Sequence, residues 1–143
     1  VFPDLTDGML PPGVYDGSWS DVVETFGYNA TRQVQLAGLR QLSLGLARAG
    51  CRAIWLDGSF VTDKGRPGDY DACWDPTGVD GGLVDPLLLN YPRTRAAAKA
   101  KYLGDIFING VEGGSGMAFV DFFQVCRDGT AKGIIRFNPG EVS

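Results

Sequence analysis

Residues 55–75, WLDGSFVTDKGRPGDYDACWD, constrain this chain more than any other stretch. An apolar run, AIWL, leads into a Gly-Ser turn at Gly58 and Ser59. Ten positions after Ser59 a carboxylate pair, Asp69 and Asp71, opens onto a second apolar run, ACW. Both runs are short, and both read as buried strands, over 51–56 and 69–75. In an extended strand residues i and i+2 project from one face, so Asp69 and Asp71 point together while Tyr70 points away. Two carboxylates that close repel unless a cation lies between them. Magnesium suits such a pair, because it takes one or two carboxylates together with phosphate and water oxygens. Gly58 has no Cβ to keep a phosphate from the backbone, and Ser59 can donate from both hydroxyl and amide. Lys64 and Arg66, in the loop between, are placed to add positive charge to the same anion. Singly these features are weak: Gly-Ser is a common turn, and Pro67-Gly68-Asp69 is an ordinary lead-in to a strand. Their order and spacing between two apolar runs is what points to a site.

Gly58-Ser59 followed by Asp69-x-Asp71 resembles the nucleotidyltransferase superfamily, which includes DNA polymerase β, aminoglycoside nucleotidyltransferases and the minimal nucleotidyltransferases of bacterial toxin-antitoxin pairs. The resemblance implies transfer of a nucleoside monophosphate from a nucleoside triphosphate to an acceptor hydroxyl, dependent on Mg²⁺ or Mn²⁺. It implies Asp69 and Asp71 as catalytic carboxylates and metal ligands, and Gly58, Ser59 and Lys64 as nucleotide contacts. It also implies a third carboxylate on a later strand. Asp121 is the first candidate for that third catalytic and metal-binding position, because a charge within AFVDFF is unfavourable unless paired or metal-bound. Asp105 and Glu112 are weaker candidates, and a solvent-facing strand end is the plain alternative for Asp121. Asp57 reads as a turn residue rather than a ligand, and Asp75 lies too far along its strand. More loosely, the whole chain looks like a family of short bacterial and prophage-encoded proteins sharing LPPG (10–13), GSFVT (58–62), PGDYD (67–71) and DFFQ (121–124), from which no activity transfers. Enzymes of the superfamily usually carry a second helical domain, for which this chain has little room. An acceptor site supplied by a protein partner or a homodimer is therefore expected. The alternative function is a nucleotide-binding or antitoxin-like interaction module of the same fold without turnover. A sugar-nucleotide transferase also uses Asp-x-Asp but leaves the Gly-Ser turn unexplained.

The 143 residues suit one domain, and 44% hydrophobic content is enough for a core. A net charge of -4 argues against a general nucleic-acid-binding surface. Neither a long apolar run nor a basic-then-apolar leader is present, which gives the expectation of a cytoplasmic protein without membrane association. With no histidine, a Ser-His-Asp or Cys-His mechanism and a His-ligated zinc site are excluded. Cys51, Cys73 and Cys126 are odd in number and far apart, so reduced packing residues are expected.

Residues 1–17 read as an extended arm packed on the domain. Ser18 or Ser20 caps a short helix through Phe26 with Gly27 at its exit. Residues 30–49 form the clearest helix, with Val34, Leu42, Leu46 and Ala49 near one face, Leu39 widening it, and Gly38 and Gly45 on one side for close packing. A short helix begins near Phe60, and a second clear one runs over 94–103, carrying Arg95 and Lys99 on one face. With Arg93 and Lys101 these form a cationic cluster, either a solvated face or a contact to an anionic substrate. VEGGSG (111–116) reads as a flexible link. Strands over 117–126 and 132–137 are joined by a hairpin turn at 127–130. The expected fold is α+β, a small mixed sheet of about four strands packed against two or three helices, nucleotidyltransferase-like.

Overall fold

The computed structural model describes residues 2–90, 93–110, 119–125 and 129–142. The fold is α+β, with a five-stranded mixed sheet in the order β1-β5-β2-β3-β4. The strands are β1 (Gly13–Asp16), β2 (Ile54–Asp57), β3 (Tyr70–Trp74), β4 (Gly104–Ile108) and β5 (Gly133–Phe137). β2 runs antiparallel to both β3 and β5, while the two edge pairs, β1 with β5 and β3 with β4, are parallel. The helices are α1 (Trp19–Phe26), α2 (Ala30–Arg48), α3 (Arg95–Tyr102) and the short α4 (Phe119–Phe123).

Local chemistry accounts for where these elements start. Ser18 accepts from the Asp21 amide and Asp21 returns a bond to the Ser18 amide, a reciprocal cap that satisfies two otherwise orphaned donors of α1. Asn29 does half of this for α2 by accepting from the Arg32 amide. Leu103 ends α3 in the left-handed region at φ 65°, and β4 begins at the next residue. That tight exit leaves room for no linker.

Because side chains alternate across a strand, the register divides the sheet into two faces. Ile54, Leu56, Tyr70, Ala72, Trp74, Ile106, Ile135 and Phe137 share one face and join Val22, Phe26, Leu36, Leu39, Leu42, Leu46, Ala98 and Tyr102 of the helices in the main core. On the other face Trp55, Cys73 and Ile134 are covered by Phe123 of α4, with Phe107 edge-on to Phe123 at 6.0 Å between ring centres. Among the described residues no helix is long and apolar enough to cross a membrane.

Four departures from the sequence expectations matter. The arm is partly sheet, since Gly13–Asp16 pairs with β5 as an edge strand. Residues 104–108, unassigned from sequence, form β4. Within the stretch expected to be a strand over 117–126, Phe119–Phe123 is instead helical, with Val120 and Phe123 packed over the sheet face rather than extending the sheet. Val34, expected in the core, is exposed. Cys51 and Cys73 are unpaired and buried, as expected of packing residues, while Cys126 lies outside the described residues.

The two glycines of α2 differ. A Cβ on Gly38 would overlap the Tyr102 carbonyl of α3, whereas one on Gly45 would meet nothing within 4 Å. Only Gly38 marks a close helix crossing. Gly38→Ala is expected to lower unfolding stability by roughly 1–3 kcal/mol through overpacking, and Gly45→Ala to raise it by up to about 1 kcal/mol through helix propensity. Urea unfolding of both variants checks this, and changes of the same sign would contradict it.

Candidate functional site

The register of the three strands β2, β3 and β4 creates the site. Asp57 lies opposite Asp71 across the antiparallel pair, and Asp71 lies opposite Asp105 across the parallel pair. Partners in register share a face, and neighbouring strands stand about 4.8 Å apart, so three carboxylates form a transverse row. Asp69, two residues before Asp71, adds a fourth at the same end of the sheet. Lys99 gathers two of the four: its Nζ is 2.7 Å from Asp69 Oδ2 and 3.7 Å from Asp105 Oδ2. Arg95, one turn earlier on α3, grips Asp105 with two parallel bonds of 2.8 and 2.9 Å. Lys132, just before β5, reaches Asp57 Oδ1 at 3.1 Å.

Four carboxylates thus face three cations, and Asp71 is the one left over. Among the described residues no cation pairs with Asp71. Burial, then the charges of Asp57, Asp69 and Asp105, push its pKa up to about 7, with Lys132 acting in the opposite direction. Asp57 is also raised, by burial that Lys132 offsets. Asp105 goes the other way, since the Arg95 hydrogen bonds hold it below the usual carboxylate range. The hydrogen bond from Asp69 leads the causes that raise Lys99.

Gly58 turns the chain at the end of β2 with φ +88°, and a Cβ there would sit 2.8 Å from Asp71 Oδ2. A side chain is excluded on both counts: the conformation is left-handed and the space is taken by the carboxylate. Ser59–Val61 then form one 3-10 turn, where the sequence suggests a short helix from Phe60.

The loop that follows is anchored rather than loose. Side chains at the start of α2 capture its carbonyl oxygens one after another. Arg32 donates to Phe60 O at 2.7 Å, Thr62 O at 2.7 Å and Lys64 O at 2.6 Å. Tyr28 reaches Asp63 O, Asn29 donates to Gly65 O at 2.6 Å, and Gln35 donates to Pro67 O at 2.6 Å. Arg32 is fully buried, with its guanidinium 4.6 Å from the Tyr28 ring centre and 5.0 Å from that of Phe60. The sequence reading passed over it. The available signal was its place on α2, four and seven residues before the core positions Leu36 and Leu39.

Of the residues expected at the site, Gly58, Ser59, Asp69 and Asp71 come together. Lys64 is exposed in the loop, its amide donating to Thr62 Oγ1. Asp121 is exposed on α4 and is not among the carboxylates acting on Asp71. The helical geometry of residues 119–123 removes the strand that was to carry Asp121 into the row. Asp105, the weaker candidate, occupies the row instead, and Asp57, read as a turn residue, stands on its other side. Glu112 and the 111–116 link lie outside the described residues. Arg95 and Lys99 do share a face, and that face reaches the carboxylates; Lys101 pairs with Asp85 at 2.6 Å.

Among the described residues no group of three carboxylates or thiols is gathered closely enough to hold a metal ion as it stands. The donor chemistry nonetheless suits a hard divalent cation: all donors are carboxylate oxygens, and the excess negative charge at Asp71 is what such a cation relieves. Asp69, Asp71 and Asp105 are the residues that would hold it, with Lys99 giving up Asp69.

The chain belongs to a family of unknown function, DUF6932, whose profile matches residues 3–138. Comparison with curated proteins and with solved structures gives no match.

Two outcomes are expected from this geometry. Arg32→Leu takes the donor from the buried Phe26 and Phe60 carbonyls and the half-buried Thr62 carbonyl and should lower unfolding stability by about 2–4 kcal/mol, with loop 60–65 amides exchanging faster with solvent. Arg32→Lys should not restore it, because one ammonium lacks the planar fork. For Asp71, the folded protein keeps the proton up to about 7 and the unfolded chain only to the ordinary 3.8. The folded state therefore binds more protons between these limits, and the contribution of Asp71 to stability falls as pH rises through them. In metal-free buffer, Asp71→Asn should be more stable than the native protein by roughly 1–2 kcal/mol at pH 8, a gap that closes towards pH 4. Urea unfolding across that range checks it; a gap independent of pH would contradict the assignment.

Proposed function

We propose that the chain is a metal-dependent nucleotidyltransferase, moving a nucleoside monophosphate from a nucleoside triphosphate to an acceptor hydroxyl. The observation that carries this reading is the carboxylate row beside Gly58, in which Asp71 stands among like charges and, among the described residues, has no cation paired with it. Mg²⁺ or Mn²⁺ bound by Asp69, Asp71 and Asp105 would supply the positive charge that a triphosphate under attack requires. Gly58 lets the chain turn tightly against the Asp71 carboxylate, and Ser59, the next residue, would offer a hydroxyl and an amide to the terminal phosphates. Asp105, kept ionised by Arg95, remains an anion at every working pH. Lys99, on yielding Asp69, is within reach of the phosphates, and Lys64 adds charge from the loop. A cytoplasmic setting, with reduced Cys51 and Cys73, accords with this role.

One observation favours a second reading. Lys99 and Lys132 already neutralise Asp69 and Asp57, so the same row can be a structural ion-pair network in a nucleotide-binding or antitoxin-like module that works through a protein partner or a homodimer without turnover. Calorimetric titration of the four ribonucleoside triphosphates, with and without Mg²⁺, separates the two when followed by an assay for pyrophosphate release in the presence of hydroxyl-bearing acceptors, small molecules and protein alike. Transferase activity predicts Mg²⁺-dependent binding that Asp69→Asn/Asp71→Asn reduces at least about 100-fold, together with release. Binding that ignores both Mg²⁺ and the double variant, with no pyrophosphate, would leave only the module.

A further inference from the structure

A cavity of about 520 Å³ opens between α2 and α3 and shares a wall with the carboxylate cluster. Val34, Pro67 and Leu103 give it apolar sides, Gln35 lines it, and Asp69 and Lys99 stand in its wall. Its volume is that of a small-molecule site. Two features of its lining have no structural use. Val34 is a large apolar side chain left 59% exposed on a helix whose other face is core. Gln35 is only 6% exposed, yet among the described residues its Oε1 has no hydrogen-bond partner, while its Nε2 is committed to Pro67 O. A buried acceptor without a donor is unfavourable unless something else supplies the donor.

We propose that this cavity seats an amino-bearing heteroaromatic ring, a nucleobase, lying between Val34 and Leu103 with its exocyclic amine donating to Gln35 Oε1. The apolar walls suit the faces of a planar ring, and glutamine is a side chain that reads a base amine by hydrogen bonding. A sugar or phosphate attached to the ring would then emerge beside Asp69 and Lys99. This inference rests on the transferase reading for what lies at the mouth of the cavity, but not for the ring itself. The ring belongs either to the donor nucleotide or to a nucleoside acceptor.

The experiment is calorimetric titration with adenosine, with purine riboside, which lacks only the amine, and with ATP plus Mg²⁺. The proteins are the native chain, Val34→Trp, which fills the cavity from an exposed position, and Asp71→Asn. Adenosine should bind without Mg²⁺, about tenfold more tightly than purine riboside. Asp71→Asn should keep that binding and Val34→Trp should lose it. If Val34→Trp also loses ATP, the ring is the donor's; if it keeps Mg²⁺-dependent ATP binding, the ring is an acceptor's. Equal binding of adenosine and purine riboside, or adenosine binding untouched by Val34→Trp, overturns the inference. ATP binding that needs Mg²⁺ and Asp71, in a protein that ignores adenosine, overturns it while leaving the transferase reading in place.

Discussion

Three carboxylates cannot stand side by side on adjacent strands unless positive charge is brought to them, and much of this structure supplies it. The row Asp57, Asp71, Asp105 follows from strand register alone. Lys132 covers one end, and α3 covers the other with Arg95 and Lys99. The placement of α3 is fixed from its far side by Gly38, where α2 approaches the Tyr102 carbonyl too closely for any side chain. Helix packing, sheet register and charge balance therefore determine one another. Among the described residues the balance stops one charge short, at Asp71, and that shortfall is the chemical character of the site.

The second constraint is rigidity around that charge. The chain from Gly58 to Pro67 has to leave β2, pass the carboxylates and return as β3, and such a connection is ordinarily mobile. Here α2 holds it by its carbonyl oxygens, with Arg32 buried among aromatic rings at the centre. A planar guanidinium spreads five donors over a rigid fork, so one side chain reaches carbonyls too far apart for a single ammonium or amide nitrogen. The N-terminal segment adds to the hold, since the Asp63 amide donates to Gly8 O and Met9 bridges to Thr62. A site whose groups sit on strand ends and a fastened loop is held in place before any ligand arrives, and the cavity beside Gln35 lies where loop and helices meet.

How much of this was legible in the sequence follows from what local pattern encodes. The Gly-Ser turn and the Asp69 and Asp71 pair were readable because glycine at a tight turn and carboxylates at a spacing of two have geometric meaning within one segment. α1 and α2 were readable from caps and periodicity. β4 was missed because it starts directly after a left-handed leucine, so that Gly104, which reads as a helix stop, is already the first residue of the strand. Residues 119–123 were misread because a short apolar run has no period that separates a strand from a buried helix. The third carboxylate went to Asp121 for the same reason. Its apolar surroundings were visible, while the pairing that sets Asp105 opposite Asp71 is a property of two segments more than thirty residues apart. Arg32 was passed over for another reason: its spacing from Leu36 and Leu39 puts it on the core face, but a charged residue on a helix reads as surface until its carbonyl partners are known.

The charge shortfall at Asp71 is open to direct measurement by carbon-13 NMR titration of its side-chain carboxyl, assigned through Asp71→Asn, with and without Mg²⁺. In metal-free buffer the midpoint should fall near 7, and millimolar Mg²⁺ should lower it by at least about one pH unit as the cation stabilises the carboxylate. An Asp71 that titrates in the ordinary aspartate range, or one that keeps a raised midpoint whatever the Mg²⁺ concentration, would contradict the account.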